Sequence, residues 1–114
     1  MENYKESRPW GDFENLLDES YCKVKKITIK PGQAPSYQFH YKRSEVYVIV
    51  SGNARICLDD IEKDYTVGDT ILVPVLTKHR VTNIGKEDLI FIEVQHGEYF
   101  GEDDIVRIDD KYGR

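Results

Sequence analysis

An all-β sandwich or barrel is the architecture this sequence predicts, and two observations carry the prediction. Short runs of β-branched and aromatic residues follow one another from Cys22 to Gln95, separated by turn residues at Ser51-Gly52-Asn53, Asp59-Asp60, Val67-Gly68-Asp69 and Ile84-Gly85-Lys86. No helical run carries apolar residues at i, i+3 and i+4, so no amphipathic helix competes with that reading.

Residues 1–7 are polar and bury too little to offset their ordering entropy, so a flexible opening is expected. Arg8-Pro9-Trp10-Gly11 then reads as an extended entry, because Pro9 biases Arg8 away from helical angles. Trp10 reads first as a core or edge anchor and second as the wall of a site. A short strand is expected from Phe13 to Asp18, followed by a turn at Asp18-Glu19-Ser20. Cys22 to Lys30 sets Val24, Ile27 and Ile29 among lysines and stops at Pro31-Gly32, which predicts a strand and its turn. Further strands are expected over 36–42, 46–51, 54–59, 69–75, 79–83 and 89–95. The tail from Gly101 carries acidic residues at 102, 103, 104, 109 and 110 around Ile105-Val106, a pattern compatible with a turn of helix or a last strand.

At 114 residues the chain is expected to form a single domain over 1–114 with one core. Its net charge of −5 argues against nucleic acid or an anionic membrane as the main partner. The polar N-terminus shows no signal peptide and no run reaches membrane-spanning length, so a cytoplasmic location is expected. Cys22 and Cys57 lack paired spacing and read as small apolar side chains in a reducing compartment.

Between Gly32 and Gly52, Gln38, His40 and Glu45 stand at polar positions inside an otherwise aromatic and β-branched run. Residues two apart on a strand share a face, so Gln38 and His40 project together, and Glu45 can return to them after a turn. A second stretch, Gly68 to Asn83, repeats the order of glycine, apolar run, Pro74 and His79. Gln38, His40, Glu45 and His79 are therefore the candidate metal ligands. Two nitrogens and two oxygens suit one divalent ion, zinc as first choice, with manganese, cobalt, iron or nickel as alternatives. The second nitrogen of each imidazole should then find an acceptor.

These spacings resemble the two motifs of the cupins, double-stranded β-helices of jelly-roll type. Gln38 stands where the pattern has its first histidine, and Leu76 where its second motif has a glycine, a residue that tolerates positive φ. A closer resemblance, to the type II phosphomannose isomerase domain, is carried by several short motifs. These are Arg8-Pro9-Trp10-Gly11, Gln38-Phe39-His40, Arg43-Ser44-Glu45, Pro74 with His79-Arg80, Glu93-Val94-Gln95, the run Tyr99 to Arg107, and Tyr112-Gly113-Arg114. Members of that family often carry an N-terminal guanylyltransferase domain, whose glycine-rich nucleotide signature does not occur in this sequence.

The resemblance implies a metal-dependent isomerase interconverting mannose 6-phosphate and fructose 6-phosphate. The metal would polarise the carbonyl and a carboxylate would carry the proton. Glu93 is the candidate proton carrier, Glu45 could serve by leaving the metal, and Arg43 matches the family's Arg-x-Glu motif. Whether Glu93 or its neighbours Ile92 and Val94 form the inward set is open at this stage. Arg43, Arg80 and Arg107 are the candidate phosphate donors, with Gln95 beside Glu93 as a further substrate contact. The chain departs from the family at Tyr41, Lys42, Val46 and Tyr47, which motivates the alternative of a non-catalytic, metal-containing cupin that binds a carbohydrate or sugar phosphate. A homodimer is expected, because Tyr37, Phe39 and Tyr41 on one face and Tyr47 and Ile49 on another exceed what one barrel interior needs.

Overall fold

The alternating runs become eleven strands in the computed structural model, which describes residues 4–109. In chain order they are β1 (Lys5–Arg8), β2 (Gly11–Asp18), β3 (Lys23–Ile29), β4 (Tyr37–Phe39), β5 (Arg43–Ser51) and β6 (Asn53–Leu58), then β7 (Ile61–Thr66), β8 (Thr70–Val73), β9 (His79–Asn83), β10 (Leu89–Gly97) and β11 (Val106–Asp109). They form a six-stranded sheet in the order β1-β2-β3-β10-β5-β8 and a five-stranded sheet in the order β11-β4-β9-β6-β7, the double-stranded β-helix expected from the sequence. Among the described residues there is no helix, and so none long and apolar enough to cross a membrane.

The interior is apolar along one half of the central strands and polar along the other. On β10 the inward row runs Leu89, Phe91, Glu93, Gln95; on β3 it runs Ile29, Ile27, Lys25, Lys23; on β5 it runs Ile49, Tyr47, Glu45, Arg43. The antiparallel register aligns these rows, setting Glu93 between Lys25 and Tyr47 and Gln95 between Lys23 and Glu45. The apolar half packs with Trp10, Phe13, Ala54, Ile56, Ile71, Val73 and Val81 into one core. The polar half holds ionisable groups out of water, and each must find a partner there.

Several expectations are corrected. The flexible opening is ordered from Lys5, because Lys5–Arg8 pairs with Gly11–Glu14 as the outer strand of a hairpin. On its other side Gly11 lets β2 lie close against β3: a Cβ there would lie 1.9 Å from the carbonyl oxygen of Thr28. The strand expected over 36–42 is only Tyr37–Phe39, because the backbone beyond it bonds elsewhere. The His40 carbonyl accepts from Leu76, and the amides of Tyr41 and Lys42 donate to the Asp104 carboxylate. Strand β7 was not expected, since its exposed sequence IEKDYT has no buried face to impose alternation. It is produced by the turn at Asp59-Asp60, both at positive φ (47° and 70°), which folds it back on β6. The open choice in the tail resolves as a strand, β11, paired with β4. Met1–Asn3, Asp110 and the Tyr112-Gly113-Arg114 motif lie outside the described residues.

Leu76 occupies the left-handed region at φ 64°, so the turn keeps the geometry that glycine gives it in the cupin pattern. A non-glycine residue there costs roughly 1–2 kcal/mol, and the side chain is 55% exposed, so packing returns little. Leu76→Gly is expected to stabilise the protein by ~0.5–1 kcal/mol, the strain relieved less the added freedom of the unfolded chain. A urea midpoint that falls on this substitution would contradict that account of the turn.

Of the residues that predicted a homodimer, Tyr47 and Ile49 belong to the core, and Tyr37 and Phe39 are half-buried by their own chain. Tyr41 is exposed, its ring edge-on to Phe39.

Candidate functional site

His40, Glu45 and His79 come together between the two sheets, all three buried, each with a ligand atom within 4.8 Å of the others. His40 stands in the turn after β4, Glu45 on β5 and His79 at the start of β9, so neither sheet builds the cluster alone. The Glu45 carboxylate lies between the rings, with Oε2 3.4 Å from His40 Nε2 and Oε1 3.5 Å from His79 Nε2.

The tautomers follow from the far sides of the rings. His40 Nδ1 is 2.6 Å from the carbonyl oxygen of Asp104, and His79 Nδ1 is 2.9 Å from that of Thr77. A carbonyl only accepts, so both Nδ1 atoms carry the proton; in the neutral rings the His40 Nε2 lone pair accepts from Arg43 Nη2 at 3.3 Å, and that of His79 Nε2 lies beside Glu45. Burial lowers the His40 pKa, and this outweighs the nearby Glu45 charge that would raise it. His79 Nε2 is buried without a hydrogen-bond partner. Burial alone would raise the Glu45 carboxyl, but the charges of His79 and His40 when protonated and of Arg43, together with the Tyr47 hydroxyl, lower it, and with both rings neutral Arg43 and Tyr47 act in the same direction. Two imidazole nitrogens and an ionised carboxylate this close together form a donor set that fits a divalent cation.

Gln38 sits opposite His79 across the β4–β9 pair and lines the same cavity. Its Oε1 accepts from the Ser36 hydroxyl at 2.9 Å and retains a second lone pair. Arg43 Nε donates to Glu45 Oε2 at 2.9 Å and Tyr47 donates to Oε1 at 2.6 Å, so the carboxylate is held from both sides. Arg43 Nη1 and Trp10 Nε1 are buried with no acceptor, and both residues line the cavity.

Glu93 lies on the inward face and lines the cavity, which settles the choice between it and its neighbours Ile92 and Val94. Burial, followed by the Glu45 charge, pushes its carboxyl up to about 7 against the opposing pull of Lys25, Arg43 and the Gln95 amide. Gln95 is placed differently from expectation: it is fully buried behind Glu93, does not line the cavity, and donates to Glu93 Oε2 at 2.6 Å. Its amide thereby positions Glu93. Arg80 and Arg107 line the cavity, although one Arg80 nitrogen already donates to Asp109. His96 is exposed on β10, away from the cluster.

Sequence reasoning missed Lys25, Lys23 and Asp104. Extending the two-residue period back from Ile29 and Ile27 puts both lysines on the inward face, a signal that the apolar Val24 obscured. Asp104 gave no such signal: its carboxylate and carbonyl serve the His40 turn from 64 residues away in sequence. Trp10 is both anchor and wall, buried in the core and lining the cavity.

The family model described as Mannose-6-phosphate isomerase C-terminal matches residues 2–110. Mannose-1-phosphate guanylyltransferase of Salmonella montevideo is 46% identical over 107 residues, covering 94% of this chain and 23% of that protein. The alginate biosynthesis protein AlgA of Pseudomonas aeruginosa is 43% identical over 107 residues, covering 94% of this chain and 22% of that protein. The chain thus spans under a quarter of these relatives. A Klebsiella pneumoniae protein described as having a double-stranded β-helix domain superposes with a TM-score of 0.76 at 19% identity, covering 96% of this chain and 86% of that one, which supports the fold alone. The names of the relatives overturn the expected mannose-6-phosphate isomerase activity. At more than 40% identity these proteins are named for guanylyl transfer to mannose 1-phosphate and for alginate synthesis.

Proposed function

This chain belongs to the Mannose-6-phosphate isomerase C-terminal family, a cupin domain, and on that premise we propose that it is a metal-holding module that binds a sugar phosphate. The ligand proposed is mannose 1-phosphate, the sugar phosphate in the name of its Salmonella relative. The observation that carries the reading is a reversal of charge. Arg8, Lys25, Arg43, Arg80 and Arg107 outnumber Glu45, Glu93 and Glu102 around the cavity of a chain whose net charge is −5. In an acidic protein, a cationic interior concentrates anions at one place.

His40, Glu45 and His79 would hold the ion, with the Gln38 amide oxygen as a fourth donor, and zinc is the first choice for this set. A bound ion would polarise a ligand oxygen and add positive charge at the cavity floor. The chain's own groups supply the remaining interactions. Arg43 keeps Glu45 ionised and oriented, and its buried Nη1 and the buried Trp10 Nε1, both without an acceptor, would be the donors for a ligand. Glu93, with its carboxyl near neutrality, can accept from or donate to a sugar hydroxyl.

Calorimetry with mannose 1-phosphate tests the reading. Zinc-loaded protein is expected to bind it stoichiometrically and chelator-treated protein at least about tenfold more weakly, the loss of one strong charged contact. Absence of binding in the presence of every first-row divalent ion would refute the reading.

A further inference from the structure

Two lysine ammonium groups are buried in the polar half of the interior, and a single carboxylate answers both. Lys25 Nζ lies 2.5 Å from Glu102 Oε1 and Lys23 Nζ lies 3.6 Å from the same atom. The lysine side chains are 5% and 11% exposed, whereas that of Glu102 is 57% exposed. A buried ammonium requires an anion, but an exposed glutamate at a loop tip is an easily exchanged one.

The loop that carries Glu102 is fixed beside it and not through it. Asp104 anchors the loop to the amides of Tyr41 and Lys42, Tyr99 bonds Asp103, and the Asp104 amide closes a turn onto Gly101. The Glu102 side chain can therefore leave without dismantling these contacts. Lys25 and Glu102 line the same cavity as Glu45 and His79 of the metal-ligand cluster, and Arg43, which also lines it, has an Nη1 that lacks an acceptor.

We propose that Lys25, assisted by Arg43 and by the charge of Lys23 behind it, is the seat for the phosphate group of the ligand, and that Glu102 occupies it in the ligand-free protein as an internal anion which the phosphate displaces. The proposal rests on the sugar-phosphate reading above and assigns the end of the cavity that would take the phosphate. Exchange of one carboxylate for one phosphate keeps both ammonium groups paired. A phosphate also offers more acceptor oxygens than a carboxylate, enough to engage Arg43 as well.

Calorimetric titration of zinc-loaded protein with inorganic phosphate and, separately, with mannose 1-phosphate tests this. Glu102→Gln removes the competing charge and is expected to bind both about fivefold or more tightly, whereas Lys25→Met is expected to bind both about tenfold more weakly. Lys25→Arg keeps the charge and should stay close to the parent. If Lys25→Met does not fold, Glu102→Gln and Lys25→Arg still decide, with the phosphate-dependent rise in Tm expected to be larger for Glu102→Gln than for the parent. Equal or weaker binding by Glu102→Gln would overturn the proposal, as would unchanged binding by a folded Lys25→Met. If inorganic phosphate follows the pattern and mannose 1-phosphate does not bind, the seat stands and the sugar reading falls. If mannose 1-phosphate binds with no dependence on either residue, the sugar reading stands and the seat falls. Binding of neither anion overturns both.

Discussion

Protein carrying His79→Ala is expected to lose its metal: after dialysis against trace zinc, mass spectrometry should find close to one ion per chain in the parent and almost none in the variant. The reason is the tautomer. With Nδ1 of both rings committed to backbone carbonyls, the two Nε2 atoms and Glu45 form the three-residue heart of the site, and removal of any one leaves only the other two with the neutral Gln38 amide. Loss of a direct ligand should exceed the roughly 10–100-fold that loss of a supporting hydrogen bond costs in metal affinity. His40→Ala should behave in the same way. His96→Ala should retain the ion, because His96 is exposed and outside this set. Stability gives a second reading of the same experiment. An ion present at about a thousand times its Kd stabilises by ~4 kcal/mol, so a chelator should lower the Tm of the parent and leave that of His79→Ala in place. Equal metal loss from all three histidine variants would refute the assignment.

In the metal-free protein Glu93 should contribute a stability that declines as pH rises from about 4.5 to 7, against an opposing gain from His40, whose lowered pKa favours the folded state as pH rises, and Glu93→Gln should remove the declining contribution. Burial, together with the Glu45 charge, raises the folded-state pKa of Glu93 from 4.5 to about 7. Across this window the native state holds a proton that the unfolded state has released, so this contribution falls as pH rises. The contribution is complete below the unfolded value and is lost as pH passes through the folded one. A shift of this size corresponds to a few kcal/mol, at ~1.4 kcal/mol per pH unit. Glutamine stays neutral throughout, keeps the shape, and can still bond to Gln95. Urea midpoints measured at several pH values on chelated protein check the result: a slope unchanged in Glu93→Gln would mean that Glu93 does not titrate in this range. Loading with metal should shrink the slope in the parent, since a nearby cation favours the carboxylate.

The correction of the isomerase reading has its own physical lesson. A motif such as Arg43-Ser44-Glu45 or Gln38-Phe39-His40 fixes which donors face one another, and that is a property of the domain. Of the relatives sharing more than 40% identity across this domain, one is named for guanylyl transfer to mannose 1-phosphate and another for alginate biosynthesis, and the domain is under a quarter of their length.

The all-β architecture and the metal-ligand candidates were legible in the residues alone. Period-two alternation survives without context, so β3, β9 and β10 could be placed closely, and His40, Glu45 and His79 could be picked out by spacing. The sequence also flagged Leu76, whose positive φ is a local property of one residue in one turn. Only the tertiary structure decided what depends on neighbours distant in the chain. The inward face of β10 was ambiguous because both of its alternating sets contain apolar residues; pairing with β3 and β5 turned Leu89, Phe91, Glu93 and Gln95 inward together. Polar β7 formed because a turn and a partner strand supplied the hydrogen bonds that its own side chains did not advertise. The seat at Lys25 became visible once registry aligned the polar halves of three strands and a loop 77 residues further along the chain brought Glu102 to it. Burial of a charge depends on what the rest of the chain packs around it, and no local pattern encodes that.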